Sequence, residues 1–298
     1  MNHPSIAAVI VTYNRLELLK GCVLAVQRQS RPPQEIIVID NGCTDGSGEW
    51  LAAQPGLTVI RQKNGGGSGG QFAGFRAACE AGHDWIWCMD DDTEPTPTAL
   101  ERLVEAPPFR NPETGYLGSL VTWTDGTPHY MNSPDPTDQS LWYHTVLKEG
   151  CVRVGYCSFV SLLVRREAVD RVGLPIREFF IWYDDVEFTQ RIGVFYKGYL
   201  VLDSIALHRT KSNLGVPEDE VKESDLRRYC YGIRNRFYLE RKSRTLIVKR
   251  IAKTGWLFWR QLKMVLRGRA SSRILFWALW GIFFFPKIEF PATRRYPP

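Results

Sequence analysis

A run of β-favouring apolar residues, Trp85-Ile-Trp-Cys-Met89, ends without transition in three adjacent aspartates, Asp90, Asp91 and Asp92. The run has the length of a buried strand. Three like charges at its end repel one another unless a cation sits among them. Hard divalent ions held by carboxylate oxygens meet that need, and Mg²⁺ favours one or two carboxylates plus phosphate oxygens. The stretch therefore predicts a strand-end metal site that holds a diphosphate. The competing reading is a solvated acidic turn, because Thr93-Glu-Pro-Thr-Pro97 reads as a loop leading to a helix start.

Upstream, Ile6–Val11 is a buried strand by composition, and Leu16, Leu19, Val23 and Val26 give Arg15–Ser30 helical spacing. Glu35–Asp40 is a second buried strand, closed by Asn41-Gly42, with a helix starting near Asp45-Gly-Ser; Leu57–Arg61 is a third strand. This alternation predicts a parallel sheet with right-handed crossovers. Ligands then gather outside the carboxyl ends of the strands, where Thr12, Asp40 and Asp90–Asp92 all fall. After the third strand comes Asn64-Gly-Gly-Gly-Ser-Gly-Gly70, followed by a helix from about Gln71 to Ala81. A glycine-rich turn into a helix N-terminus offers N–H groups to an anion or to sugar hydroxyls. It matches neither standard phosphate-binding pattern, and a flexible linker is the competing reading.

From Leu117 to Val164 the chain turns into shorter, polar-alternating strands with Pro/Asp-rich loops, a mixed half suited to an acceptor site. Phe159–Val164 is expected to be a strand and Arg166–Val172 a short helix. In Phe179-Phe-Ile-Trp-Tyr-Asp-Asp-Val-Glu-Phe-Thr-Gln-Arg191 an apolar approach ends at Asp184-Asp185, and a helix follows with Glu187 in its first turn. Acids there are ordinary caps that complement the helix dipole. The neighbours Trp182 and Tyr183 and a second carboxylate would raise the pKa of one aspartate, which suits a general base. Tyr199–Asp203 is a further strand. His208 just beyond it could complete a carboxylate metal site, although a lone histidine is more often structural.

A chain of 298 residues with 44% hydrophobic side chains can bury a large core, which excludes general disorder. The charge is divided unevenly. Leu226–Pro298 carries 18 Lys/Arg against two acids, Glu240 and Glu289, while the preceding body is acidic. A basic tail calls for a negatively charged partner surface. Lys249, Lys253, Arg260, Lys263 and Arg267 share one helical face and Ile247, Ile251, Phe258, Leu262 and Val265 another. With Trp256 and Trp259, this reads as a helix lying in a membrane interface; packing on the body is the alternative. Ile274–Phe285 is apolar but too short to span a bilayer. A nucleic-acid partner is excluded by the lack of any reader motif. The seven cysteines, odd in number and never spaced C-x-x-C, fit a reducing cytosol better than disulfides or a zinc site. The first apolar run is too short for a signal peptide.

Taken together, V-I-V-T-Y-N-R at the first strand, V-I-D-N-G at the second, the aspartate triplet and D-D-V-E-F resemble the inverting GT-A glycosyltransferases of family 2, over about residues 5–240. N-G-G-G-S-G-G followed by M-D-D-D, W-Y-D-D-V-E and a later histidine is most similar to the bacterial galactofuranosyltransferases, with rhamnosyltransferases next. The resemblance implies an α/β fold: a Rossmann-like, mostly parallel central sheet with flanking helices. The expected division is a catalytic domain 1–240 (nucleotide-binding half 1–116, acceptor half 117–240) and a membrane-associating helical appendage 241–298. Thr12, Asn14, Arg15 and Asp40 would hold the nucleotide, with Asp40 accepting from a uracil ring. Asn64, Gly66, Gly67, Gly69 and Gly70 would lie along the donor sugar, with Asp91, Trp182 and Asp184 completing the donor site. Asp90, Asp92 and His208 would bind Mn²⁺ or Mg²⁺, and Asp185 would be the general base. The implied partners are a nucleotide-sugar donor, with UDP as the nucleotide, a lipid-linked or glycan acceptor, and the anionic cytoplasmic face of the membrane. A dTDP-rhamnose-dependent enzyme and a non-catalytic glycan-binding scaffold are the alternatives. Asn41 departs from the family's usual second acid, and Tyr183 stands where close relatives vary.

Overall fold

The computed structural model describes residues 4–134, 136–137, 142–213, 221, 223–242, 246–286 and 288. The chain divides into two compact units, one built on Met1–Glu178 and Asp185–Asn213, the other on Phe179–Asp184 and Leu214–Glu289.

The first unit is a mixed α/β sandwich. Strands β1 (Ile6–Thr12), β2 (Glu35–Asp40), β3 (Thr58–Arg61) and β4 (Trp85–Asp90) form its parallel part, in the order β3-β2-β1-β4. The register pairs Thr12 with Asp40 and Val11 with Asp90, so three polar residues finish within one position of one another at neighbouring strand ends. Because side chains alternate along a strand, β1 feeds two cores. Ile6, Ala8 and Ile10 pack with Leu19, Cys22, Val23 and Val26 of α1 (Leu16–Gln27) and with Leu100 and Leu103 of α4 (Ala99–Glu105). Ala7, Val9 and Val11 pack with Ala73, Phe75 and Ala78 of α3 (Gly66–Glu80), and with Phe188 and Ile192 of α7 (Asp184–Ile192). A short α2 (Ser47–Ala52) adds Leu51 to the first core.

Beyond β4 the sheet is not mostly parallel. Strand β8 (Leu162–Arg165) runs antiparallel between β4 and β6 (Thr114–Thr122). The 12-residue β9 (Lys197–His208) pairs parallel to β6 but antiparallel to β5 (Thr93–Pro95) and β7 (Cys151–Val154). The rhythm of strand and crossover helix that forces parallel pairing ends after β4. Three other expectations change. The glycine run is not a loop before a helix but the opening of α3. Thr93–Pro95 is a short strand and not a turn. His208 lies within β9, opposite Thr93, instead of beyond a strand that ends at Asp203. The helix α6 spans Arg166–Val172, as the sequence predicts. An eight-residue α5 (Trp142–Glu149) precedes β7.

The second unit contains α8 (Glu223–Lys242), α9 (Ile247–Leu266) and α10 (Arg273–Leu279), followed by a π turn at Trp280–Phe284. Leu226, Tyr229, Ile233 and Phe237 of α8 share a core with Leu257, Ile274 and Ala278. The face of α9 read from sequence as wholly interfacial is therefore divided. Phe258 and Val265 pack onto this core, whereas Ile247 and Ile251 are 61% and 65% exposed. Trp256 and Trp259 are also exposed, beneath Arg260 and Lys263 respectively. Among the described residues no helix is long and apolar enough to cross a membrane, and all seven cysteines are free thiols.

Candidate active site

The aspartate triplet separates into three roles because successive residues leave a strand in different directions. Asp90, the last residue of β4, faces Gln71 Nε2 of α3 at 3.4 Å. Asp91 is buried; its Oδ2 accepts from Thr12 Oγ1 at 2.8 Å and Tyr13 N at 3.3 Å. Burial pushes the Asp91 carboxyl up to about 6, against the opposing pull of Arg15. Asp92 accepts from Arg15 Nη1 at 2.6 Å, and the same nitrogen reaches Asp91 Oδ1 at 3.3 Å. For Asp92 burial would raise the pKa, but His208, when protonated, and Arg15 override it and hold the group at about 2. Arg15 thus supplies the cation that adjacent carboxylates demand.

The pairing of β5 with β9 brings His208 Nε2 to 3.2 Å from Asp92 Oδ1. On the other side of the ring, Nδ1 stands 2.8 Å from Asn132 Oδ1, which can only accept. The proton of a neutral His208 is therefore on Nδ1, and the Nε2 lone pair faces a carboxylate oxygen. Asp92 Oδ1 is itself buried without a well-formed hydrogen bond. Two acceptors in that arrangement need a proton or a metal ion between them. The spacing suits the ion, since cis ligands about 2.1 Å from an octahedral centre lie about 3 Å apart. His129 stacks on His208 with ring centroids 4.6 Å apart, and burial pulls its pKa down to about 4, so it contributes no charge at neutral pH. Among the described residues no group of three or more His, Cys, Asp and Glu side chains stands close enough to hold an ion alone. Asp92 and His208 would hold a divalent ion only in part, leaving the other ligands to phosphate oxygens and water, as Mg²⁺ sites commonly do.

The residues expected to hold the nucleotide form a connected scaffold. Asp40 is buried, with Oδ1 accepting from Gly42 N and Cys43 N at 3.1 and 2.8 Å, and Arg61 Nε 3.5 Å from Oδ2. Asn14, at φ 53°, accepts from Thr44 N at 2.7 Å and so ties the loop after β1 to the loop after β2. Left-handed backbone is a conformation asparagine tolerates. Asn41 does what a carboxylate could not: Nδ2 donates to Gly66 O at 2.7 Å while Oδ1 accepts from Gln62 Nε2 at 2.8 Å. Its departure from the family pattern is thereby explained as a pin on the glycine-rich turn, where Asn64 Oδ1 also accepts from Gly66 N at 2.8 Å.

The glycines divide by what a Cβ would meet. At Gly70 it would lie 2.3 Å from Val11 Cγ1, and at Gly74 2.1 Å from Val9 Cγ1, so these two let α3 sit close on β1. Gly66 has φ +74° at the helix start. At Gly67 and Gly69 a Cβ would meet nothing within 4 Å, so both positions border open space.

Asp185 is half-buried at the start of α7, and its Oδ1 accepts from Val186 N at 2.7 Å. The buried Cys88 thiol is pushed well up by desolvation and raised further by the negative charges of Asp90 and, more weakly, Asp185. Glu187 pairs with Arg191 at 2.8 Å, one turn further along α7. Asp184 and Trp182 belong to the second unit. Asn132, His129, Gln71 and Arg61 were missed by sequence reasoning. Nothing local marks them, because only chain reversal through β5, β6 and β9 delivers the first two.

The model of the family "Glycosyl transferase family 2" matches residues 7–173. Galactofuranosyltransferase GlfT1 of Mycolicibacterium smegmatis is 31% identical over 212 residues, covering 64% of this chain and 67% of that protein. The N-acetylglucosaminyl-diphospho-decaprenol L-rhamnosyltransferase of Mycobacterium tuberculosis is 26% identical over 214 residues, covering 62% and 69%. Among solved structures, GalNAc-T7 with UDP, GalNAc and Mn²⁺ superposes with a TM-score of 0.58 at 16% identity, over 78% of this chain and 48% of that one.

Proposed function

Because the chain belongs to glycosyl transferase family 2 and is a nucleotide-sugar glycosyltransferase, we propose that it transfers galactofuranose from UDP-galactofuranose, with inversion, to a lipid-linked or glycan acceptor. The observation that carries this reading is the Asp92–His208 pair, whose facing acceptor atoms suit a divalent cation shared with a diphosphate. A bound Mn²⁺ or Mg²⁺ would neutralise charge developing on the leaving diphosphate. Arg15 holds Asp92 in place, and Thr12 holds Asp91 behind it. Asp40 and Asn14 shape the pocket floor for the nucleoside, and Gly67 and Gly69 leave room for the donor sugar. Asp90 lies beside this donor path. Asp185 takes the proton from the acceptor hydroxyl as that oxygen attacks the anomeric carbon from the opposite face.

The galactofuranose assignment is supported by the relative at 31% identity, and dTDP-rhamnose as the alternative donor by the one at 26%. The acceptor's lipid linkage is in keeping with the decaprenol in the latter's name and with the exposed Trp256 and Trp259 of the basic helix α9. On this reading the protein works at the anionic cytoplasmic surface of a membrane, with residues 241–298 as its contact. A screen of nucleotide sugars for metal-dependent turnover tests the proposal. UDP-galactofuranose should be consumed with Mn²⁺ or Mg²⁺ and not with EDTA; consumption of dTDP-rhamnose alone would overturn the donor assignment.

A further inference from the structure

The segment entering α7 has an unusual backbone. Phe180, Trp182 and Tyr183 have φ values of 66°, 64° and 68°. Bulky side chains rarely occupy the left-handed region, and three in four consecutive residues persist only where the surroundings over-determine them. The surroundings here come from α8. The buried Asn235 directs Nδ2 at three carbonyls, Phe179 O at 3.0 Å, Ile181 O at 2.9 Å and Trp182 O at 2.9 Å. Arg234 locks that amide, donating to Asn235 Oδ1 from Nε at 3.0 Å and from Nη2 at 2.8 Å, and Nη2 also reaches Phe179 O at 3.1 Å. Gly232 leaves room for the Trp182 ring, since a Cβ there would lie 2.5 Å from Trp182 Cε3. Phe180 stacks on Tyr231 with centroids 4.6 Å apart. One helix therefore grips every residue from Phe179 to Trp182.

Tyr183 alone separates the gripped run from Asp184, the first residue of α7, and Asp185 is the next. Without donors converging on its carbonyls the run would relax toward ordinary backbone angles, and the start of α7 would turn with it. We propose that Asn235 is a positioning residue for Asp185: by holding the left-handed run, it sets the direction in which the Asp185 carboxylate leaves the helix. This rests on the reading of Asp185 as the general base. Strain at such a position is the kind that functional sites retain.

Asn235→Asp separates the two halves of the contact, because a carboxylate still accepts from Arg234 but cannot donate to the three carbonyls. The full-length variant should bind UDP with Mn²⁺ as the wild type does, by calorimetry. Its kcat for UDP-galactofuranose with an octyl galactoside as acceptor should fall at least tenfold, with hydrogen exchange of amides 180–186 accelerated. Combined with Asp185→Asn it should lower turnover no further than Asp185→Asn alone. If Asn235→Asp does not fold, Gly232→Ala disturbs the same run from the Trp182 side and should show the same signature. Turnover within twofold of wild type despite faster exchange would overturn the proposal, as would losses that multiply in the double variant. Unaltered turnover in Asp185→Asn alone would overturn the base assignment and leave the clamp without a catalytic purpose, a result distinguishable from the other two.

Discussion

Two alanine substitutions three residues apart in α3 should change stability in opposite directions. Glycine in a helix interior costs about 1 kcal/mol relative to alanine. At Gly67 a new Cβ meets nothing within 4 Å, so that gain is kept, reduced near the helix start to about 0.5 kcal/mol. At Gly70 the Cβ would lie 2.3, 3.1 and 3.3 Å from Val11 Cγ1, Cγ2 and Cβ. Valine is stiff at χ1, and Val11 is 5% exposed in a central strand, so the side chain cannot swing away. Overpacking of this kind costs about 1–3 kcal/mol. After the helix gain, Gly70→Ala should be destabilising by about 1 kcal/mol, and the two variants should differ by about 1.5 kcal/mol. In thermal unfolding that is a separation of about 3–6 °C for a unit this size. The reading of Gly67 as open to the donor adds a second readout: Gly67→Ala should raise Tm yet weaken UDP-galactofuranose binding by calorimetry. Melting points shifted in the same direction would refute the packing argument. A stabilised Gly67→Ala with unchanged donor affinity would refute the ligand-facing role.

Asp92→Asn and His208→Ala should each weaken Mn²⁺-dependent UDP binding tenfold or more by calorimetry, and unchanged binding in both would end the shared-ion assignment. Asp185→Asn should retain UDP affinity while transfer falls about 10²–10⁴-fold; lost affinity with retained transfer would make it a binding residue instead. The two buried acids predict opposite pH effects on stability. Asp91, raised to about 6 when folded, favours the fold below its unfolded pKa and loses that contribution as pH rises through 6, whereas Asp92, lowered to about 2, favours the fold above its unfolded pKa and loses that contribution as pH falls toward 2. Asp91→Asn should therefore flatten the decline in denaturant stability between about pH 4 and 6. Replacing Lys249, Lys253, Arg260, Lys263 and Arg267 by Gln should reduce co-sedimentation with phosphatidylserine vesicles and flatten its salt dependence, at about 1 kcal/mol per charge lost. Truncation at Leu246 is a poorer test, because Leu257, Ile274 and Ala278 complete the core of α8.

The parallel part of the sheet was legible because each of its signals is local. Ile6–Val11, Glu35–Asp40 and Trp85–Met89 are apolar runs of strand length, and each leads to a polar residue that the register then sets within one position of its neighbours. The aspartate triplet and Asp184-Asp185 declared themselves by charge density against aromatic or apolar flanks. The glycine run was visible but its meaning was not, since a sequence cannot say that Gly70 faces Val11 while Gly67 faces open space. The antiparallel half escaped for a related reason. Strand β5 is three residues long, and it exists only because β9 lies beside it.

By itself, then, the amino-acid order determined that β1, β2 and β4 are buried strands and where they end, because apolar periodicity and terminal charge act within a few residues. Only the tertiary structure decided which side chains meet. His208 and Asp92 are 116 positions apart and Asn235 and Phe179 are 56 apart, and neither pairing carries a local signature. Both follow from chain reversal and sheet register, where the free energy comes from burying whole faces, and the polar contacts form wherever that burial happens to set them.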